Sequence, residues 1–256
     1  MSSNPQVARK RDVIDVSPAF TQADADALTA RFAGVDTQTM LTELLREHLV
    51  GEIAVVSSFG TESAVLLDMV ARADPATPVL LVDTLKLFPE TLAYRDKLVA
   101  RLGLTDVRAV QPDPAALAAK DSNELRWSYD PDGCCEIRKV IPLRNALLPF
   151  DGWITGRKAF QAKTRNTLPR FEVEDGRLKI NPLADWTKDD LDRYFEEHEL
   201  PRHPLEAAGY LSIGCVPCTS IVQPGEDPRA GRWRGWDKVE CGIHGSDGDG
   251  SELPVF

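Results

Sequence analysis

Short, solidly apolar runs alternate with segments of helical spacing along this chain. Met40, Leu41, Leu44, Leu45 and Leu49 recur on one side of a helix expected over Asp36 to Val50. Ile53-Ala54-Val55-Val56 reads as a buried strand, and a polar turn then leads into a helix from about Glu62 to Arg72. Pro78 to Val82 is the next strand and Pro89 to Leu102 the next helix. Val107 to Val110 and Trp153-Ile154-Thr155 are further strands, with a helix beginning near Cys134 between them. Phe171-Glu172-Val173 and Leu178-Lys179-Ile180 pair as a hairpin across Glu174-Asp175-Gly176, with its turn glycine. Asp185-Trp186-Thr187-Lys188 opens a helix that stops before Pro201. Strands separated by helices predict a three-layer α/β/α fold around a mostly parallel sheet.

Composition narrows the class. A chain of 256 residues at 43% hydrophobic buries a substantial core. Residues 1–20 are polar and expected to be flexible, 21–240 form the α/β domain, and 241–256 form a mobile tail rich in glycine and acid. No apolar run approaches the roughly 20 residues of a membrane span, and the first residues do not resemble a secretory signal. Five cysteines are too few for a disulfide framework in a chain this long, so a reducing, cytoplasmic setting is expected. A net charge of −10 argues against sequence-independent nucleic-acid binding. It leaves room for a small anionic ligand where basic residues gather. They gather twice, as Arg157, Lys158, Lys163, Arg165 and Arg170, and as Arg229, Arg232, Arg234 and Lys238. Acidic residues concentrate in Asp189–Asp192 and Glu196–Glu199, a solvated helix face.

The cysteines divide four and one. Cys134 and Cys135 stand in tandem, Cys215 and Cys218 form Cys-Val-Pro-Cys, and Cys241 sits alone in Glu-Cys-Gly-Ile-His. Four thiolates around a metal centre plus one free thiol is the economical reading. Zinc and an iron–sulfur cluster both accept four thiolates, but structural zinc sites generally use two Cys-x-x-Cys knuckles, which a tandem pair fits poorly. Adjacent helical residues diverge by about 100°, so Cys134 and Cys135 are expected at a helix start where the backbone can bend. Lys139 falls four residues after Cys135, on the same face of a regular helix. After the first strand, Ser57-Ser58-Phe59-Gly60-Thr61-Glu62-Ser63 offers backbone N–H groups and hydroxyls to an anion at a helix N-terminus. It lacks the Gly-Lys-Ser/Thr ending of a Walker A loop. Asp83 and Thr84 end the second strand, where an open α/β sheet holds its ligand.

Ser58, Gly60 and Ser63 align with the Ser-Gly-Gly-x-Asp-Ser loop of the PP-loop pyrophosphatases, while Phe59 and Glu62 depart from it. With Cys-Cys-Glu-Ile-Arg-Lys at 134–139, Thr-Gly-Arg-Lys at 155–158, Cys-Val-Pro-Cys at 215–218, Pro-Arg-Ala-Gly-Arg-Trp at 228–233 and Glu-Cys-Gly-Ile-His at 240–244, the chain resembles the sulfonucleotide reductases. The resemblance is strongest to their iron–sulfur adenylylsulfate (APS) reductases. It implies a PP-loop architecture and reduction of APS to sulfite and AMP in assimilatory sulfate reduction, with thioredoxin as donor. It further implies a [4Fe–4S] cluster on Cys134, Cys135, Cys215 and Cys218, and attack by Cys241 through an S-sulfocysteine. Substrate contacts are expected from Ser57, Ser58, Phe59, Gly60, Thr61, Glu62, Ser63, Asp83, Thr84, Lys139, Arg157, Arg165, Arg229, Arg232 and His244. A homo-oligomer is expected. Three alternatives stay open: a reductase using the 3′-phosphorylated nucleotide PAPS, an ATP-dependent PP-loop enzyme that thiolates or amidates a nucleobase, and a zinc-stabilised binding module. Pyrophosphate release would mark the second, and a colourless protein indifferent to Cys241 the third.

Overall fold

The structure, a computed structural model, describes residues 19–161, 168–238 and 242. The expectations for the N-terminal segment and the C-terminal tail therefore fall almost wholly outside the described residues. Six strands make one sheet: β1 (Ile53–Val56), β2 (Val79–Val82), β3 (Val107–Val110), β4 (Gly152–Thr155), β5 (Phe171–Glu174) and β6 (Arg177–Ile180). Their order is β3-β2-β1-β4-β6-β5, parallel throughout except for the β5–β6 hairpin at one edge. Asp175 and Gly176, at φ 51° and 72°, turn that hairpin in the left-handed region that two-residue turns require.

Alternation along the strands divides the core in two. Ile53, Val55, Val79, Leu81 and Ile154 face a large cluster shared with α2 (Thr37–Arg46), α3 (Ser63–Ala73) and α4 (Pro89–Leu102). Ala54, Leu80 and Trp153 face the other side, against Leu143 and Leu147 of α7 (Ile141–Leu147). Both faces of the parallel sheet are thus covered, which is why its strands read as unbroken apolar runs. The last helix, α8 (Lys188–Glu197), buries Leu191 and Phe195 and is capped by a reciprocal Thr187–Asp190 pair.

Two helices lie beyond the expected set. One is α1 (Gln22–Arg31), whose single buried residue is Ala25, and the other is α5 (Pro114–Lys120), which buries none. The segment around the tandem cysteines also differs from expectation. Its helix opens at Pro131 rather than at Cys134, so α6 (Pro131–Cys135) ends on the two cysteines. Residues Glu136–Val140 then form a π-helical turn before α7. Lys139 accordingly reaches the cysteines from a widened turn and not along a regular helix, the kind of local irregularity that recurs at functional sites.

Candidate active site

The carboxyl ends of β1, β2 and β4 open into a cavity of about 440 Å³. It lies where the strand order reverses between β1 and β4, the place where open α/β sheets bind ligands. Its floor is the turn from β1 into α3. Ser57, Ser58, Gly60, Thr61, Glu62 and Ser63 all line it. The N-cap of α3, Glu62, makes no side-chain cap bond, so the helix N-terminus, whose residues line the cavity, is without a side-chain cap and suits an anion. Thr61 Oγ1 donates to the Leu211 carbonyl at 3.2 Å and ties the turn to the opposite wall.

Phe59 departs from expectation. Its side chain is fully buried in the large core cluster and does not line the cavity, with the backbone at φ 49°. Burying the ring inverts the backbone there, and the Ser57 hydroxyl accepts the Phe59 amide at 3.2 Å. Asp83 departs likewise. Val82 and Thr84 line the cavity, and the intervening Asp83 instead accepts from the Leu85 amide (3.0 Å) and Gln111 (2.9 Å), as strand alternation dictates.

Basic residues gather at one end. Lys139, Arg229 and Arg232 line the cavity there, around Trp233, and Arg157 and Lys158 line it too, Lys158 held by Glu62 at 2.8 Å. Arg157 is held in place by Asn181 at 3.2 Å and by an ion pair with Glu172. Arg232 bonds the Ile213 carbonyl at 3.1 Å and lies over the Trp233 ring at 4.4 Å. Gly214 leaves room for it, since a Cβ there would displace the Arg232 guanidinium.

A second, smaller cavity adjoins this end. Cys134, Cys135, Cys215 and Cys218 all line it, and Lys139 and Trp233 line both cavities. The four thiols come from two segments. Cys134 and Cys135 end α6, while Cys215 bridges to Leu87 beyond β2. A buried Arg138–Asp121 pair at 2.6 Å, with Arg138 also donating to the Thr84 carbonyl at 2.9 Å, fixes these segments together. Burial pushes the Cys134 thiol up to about 11, and neighbouring Cys135 adds to this. Burial also raises Cys218, with Cys215 adding to the rise. At Cys215 burial acts in the same direction, yet the Lys139 ammonium, the Thr84 hydroxyl at 3.2 Å and Arg232 outweigh it and hold the thiol below its ordinary value. Among the described residues, no three His, Cys, Asp or Glu side chains stand as the ligands of one metal ion would.

Arg165, Cys241 and His244 lie outside the described residues. Several wall residues were not singled out from the sequence: Lys188, Glu206, Thr91 and Trp233. Trp233 is the most legible of these in retrospect, as it completes the Pro-Arg-Ala-Gly-Arg-Trp motif. Glu206 comes from a turn anchored by buried His203. The His203 Nε2 lies 3.1 Å from Thr91 Oγ1, and its Nδ1 accepts the Leu205 amide at 3.2 Å. Burial lowers the His203 pKa to about 4. The unfolded chain takes up this proton near pH 6.5, so stability is lost as pH falls from about 6.5 towards 4, by about 3 kcal/mol. His203→Gln is expected to flatten that part of the profile in urea unfolding series measured across the same pH range.

Fold and site together define a PP-loop α/β protein with a cavity lined by basic residues beside a four-cysteine cluster. Residues 52–221 match the phosphoadenosine phosphosulfate reductase domain, and the chain belongs to this family. Among its relatives, the adenosine 5′-phosphosulfate reductase of Mesorhizobium japonicum is 50% identical, over 86% of this chain and 89% of the relative. The phosphoadenosine 5′-phosphosulfate reductase of Gloeobacter violaceus is 37% identical, over 87% and 94%. The crystal structure of phosphoadenylyl-sulfate reductase from Candida auris, a phosphate complex, superposes with a TM-score of 0.64 at 29% identity, covering 79% of this chain and 98% of that one. The Candida glabrata FMN adenylyltransferase shares the fold alone, at a TM-score of 0.51 and 14% identity over 77% of this chain and 74% of that one.

Proposed function

We propose that this protein reduces APS to sulfite and AMP in assimilatory sulfate reduction, with a dithiol protein of the thioredoxin type as electron donor. The observation that carries the reading is the shared wall: Lys139 and Trp233 stand between a cavity lined by basic residues and four cysteines. The α3 N-terminus and Lys158 suit the nucleotide's phosphate, and Arg229 and Arg232 suit the sulfate and the charge developing on departing AMP. Cys241 supplies the nucleophile. Gly242, which follows it, lies against Val140, one residue from Lys139, which favours a thiolate delivered to the basic end. The Cys241 thiolate attacks the APS sulfur, forming an S–S bond as the S–O bond to AMP breaks, and AMP leaves with the electron pair. A reductant thiolate then attacks Cys241 Sγ and expels sulfite. The reductant's second thiol resolves the mixed disulfide, restoring the Cys241 thiolate and oxidising the dithiol by two electrons.

Cys134, Cys135, Cys215 and Cys218 fit a [4Fe–4S] cluster, the usual partner of four thiolates. Such a group takes each thiolate at a separate iron, so side chains spread around one cavity suit it better than they suit a single ion. Bound there, the cluster would supply a negatively charged iron–sulfur centre, and Lys139 would offset its repulsion of an anionic substrate. No helix among the described residues is long and apolar enough to cross a membrane. A cytoplasmic setting and a homo-oligomeric assembly complete the proposal.

Sulfite and AMP release from APS, assayed with reduced thioredoxin, tests the activity. PAPS is expected to be the poorer substrate, by at least about 100-fold in kcat/KM, the scale of an unfavourable charge placed in a partly desolvated site. Comparable kcat/KM for the two nucleotides would refute the preference. ATP-dependent pyrophosphate release would favour the nucleobase-modifying alternative.

A further inference from the structure

Glu206 stands out among the residues of the large cavity. Its Oε2 is shut off from solvent and has no hydrogen-bond partner. The nearest cation, Arg202, approaches only the other oxygen, at 3.5 Å, and is itself engaged by Asp192 at 2.7 Å. Glu62, the cavity's other carboxylate, is held by Lys158 at 2.8 Å. Lys188 lies 3.9 Å from Glu62 and 2.9 Å from Asp192. The turn that carries Glu206 is fixed, because its amide donates to the His203 carbonyl at 3.0 Å and the His203 Nε2 lies 3.1 Å from Thr91 Oγ1. Burial raises the Glu206 carboxyl, as expected of a group short of donors.

A buried acceptor left without a donor is unfavourable unless a ligand supplies one. The cavity is also polarised, with Lys139, Arg229 and Arg232 at the cysteine end and Glu206 on another wall. An anionic ligand end belongs with the former and an uncharged donor with the latter. We propose that Glu206 accepts a hydrogen bond from the ribose hydroxyls of the bound nucleotide and thereby disfavours a nucleotide phosphorylated at the 3′ position. This rests on the APS-reductase reading and names the residue behind its substrate preference. A 3′-phosphate would exchange a donor for a second anion beside the carboxylate, a contact that selects by repulsion.

The test measures binding of the unreactive products, so it requires neither turnover nor Cys241. Affinities for AMP, adenosine 3′,5′-bisphosphate and inosine monophosphate are compared in wild type and Glu206→Gln, with Glu206→Ala as a second variant. Glutamine keeps the shape and removes the charge. Both variants are expected to shift the ratio of bisphosphate to AMP affinity towards the bisphosphate by about tenfold, a modest share of one charge–charge contact. The ratio of inosine monophosphate to AMP should stay unchanged. An unchanged bisphosphate ratio overturns the proposal, as does a shift confined to the inosine ratio, which would assign Glu206 to the base. Failure of AMP to bind wild type would instead overturn the reading of the cavity as a nucleotide site.

Discussion

Cys241→Ser is expected to retain the cluster and bind APS, yet to release no sulfite. A serine hydroxyl remains protonated at neutral pH and is a poor substitute for a thiolate, so both the attack and the later thiol exchange are lost. The residues assigned to binding are others: the α3 N-terminal turn, Lys139, Arg229 and Arg232 line the cavity. Affinity for AMP should therefore change little, whereas turnover falls below detection. Wild-type protein mixed with APS and no reductant should gain one sulfite-sized mass on the peptide containing Cys241, removable by reduced thioredoxin. An adduct on another cysteine, or sulfite release by Cys241→Ser, would show that the nucleophile is misassigned.

Replacing Cys134 or Cys215 by alanine is expected to remove iron and the brown colour together, and to destabilise the fold. The two thiols belong to segments far apart in sequence, one at the end of α6 and one bridged to Leu87. A metal centre joining them, as proposed, would contribute its binding energy to folding. Its loss also leaves the buried Lys139 ammonium among fewer negative partners. Even about 3 kcal/mol lost would lower Tm by roughly 6–12 °C in a domain of this size. Iron content, the visible spectrum and thermal unfolding measured on the same anaerobic preparations check this. Stoichiometric zinc without iron in freshly isolated wild type would overturn the cluster assignment.

Much of the fold was written in local sequence. Buried parallel strands must be apolar on both faces, so Ile53–Val56 and Val79–Val82 were legible as runs. Pro89 and Gly103 bracket α4, the glycine ending it at φ 69°, because proline suits a helix start and glycine the left-handed end. The site was partly legible for a similar reason. The Ser57–Ser63 turn, the paired cysteines and the Pro-Arg-Ala-Gly-Arg-Trp segment carry their chemistry in contiguous residues.

Tertiary structure decided what depends on direction and on remote neighbours. Helix α1 buries only Ala25 and α5 nothing, so neither leaves a periodic apolar stripe to read. Phe59 lies inside a ligand-binding motif by position but turns into the core, and Asp83 turns away while Thr84 faces the cavity. Glu206 carries no local signal at all. Its place in the cavity wall follows from His203 locking a distant turn against Thr91 of α4, a contact spanning more than a hundred residues. Sequence alone determined which residue types could perform the chemistry, because reactivity belongs to the side chain. Only the folded chain decided which of them face the same cavity, because long-range packing sets the direction in which each side chain points.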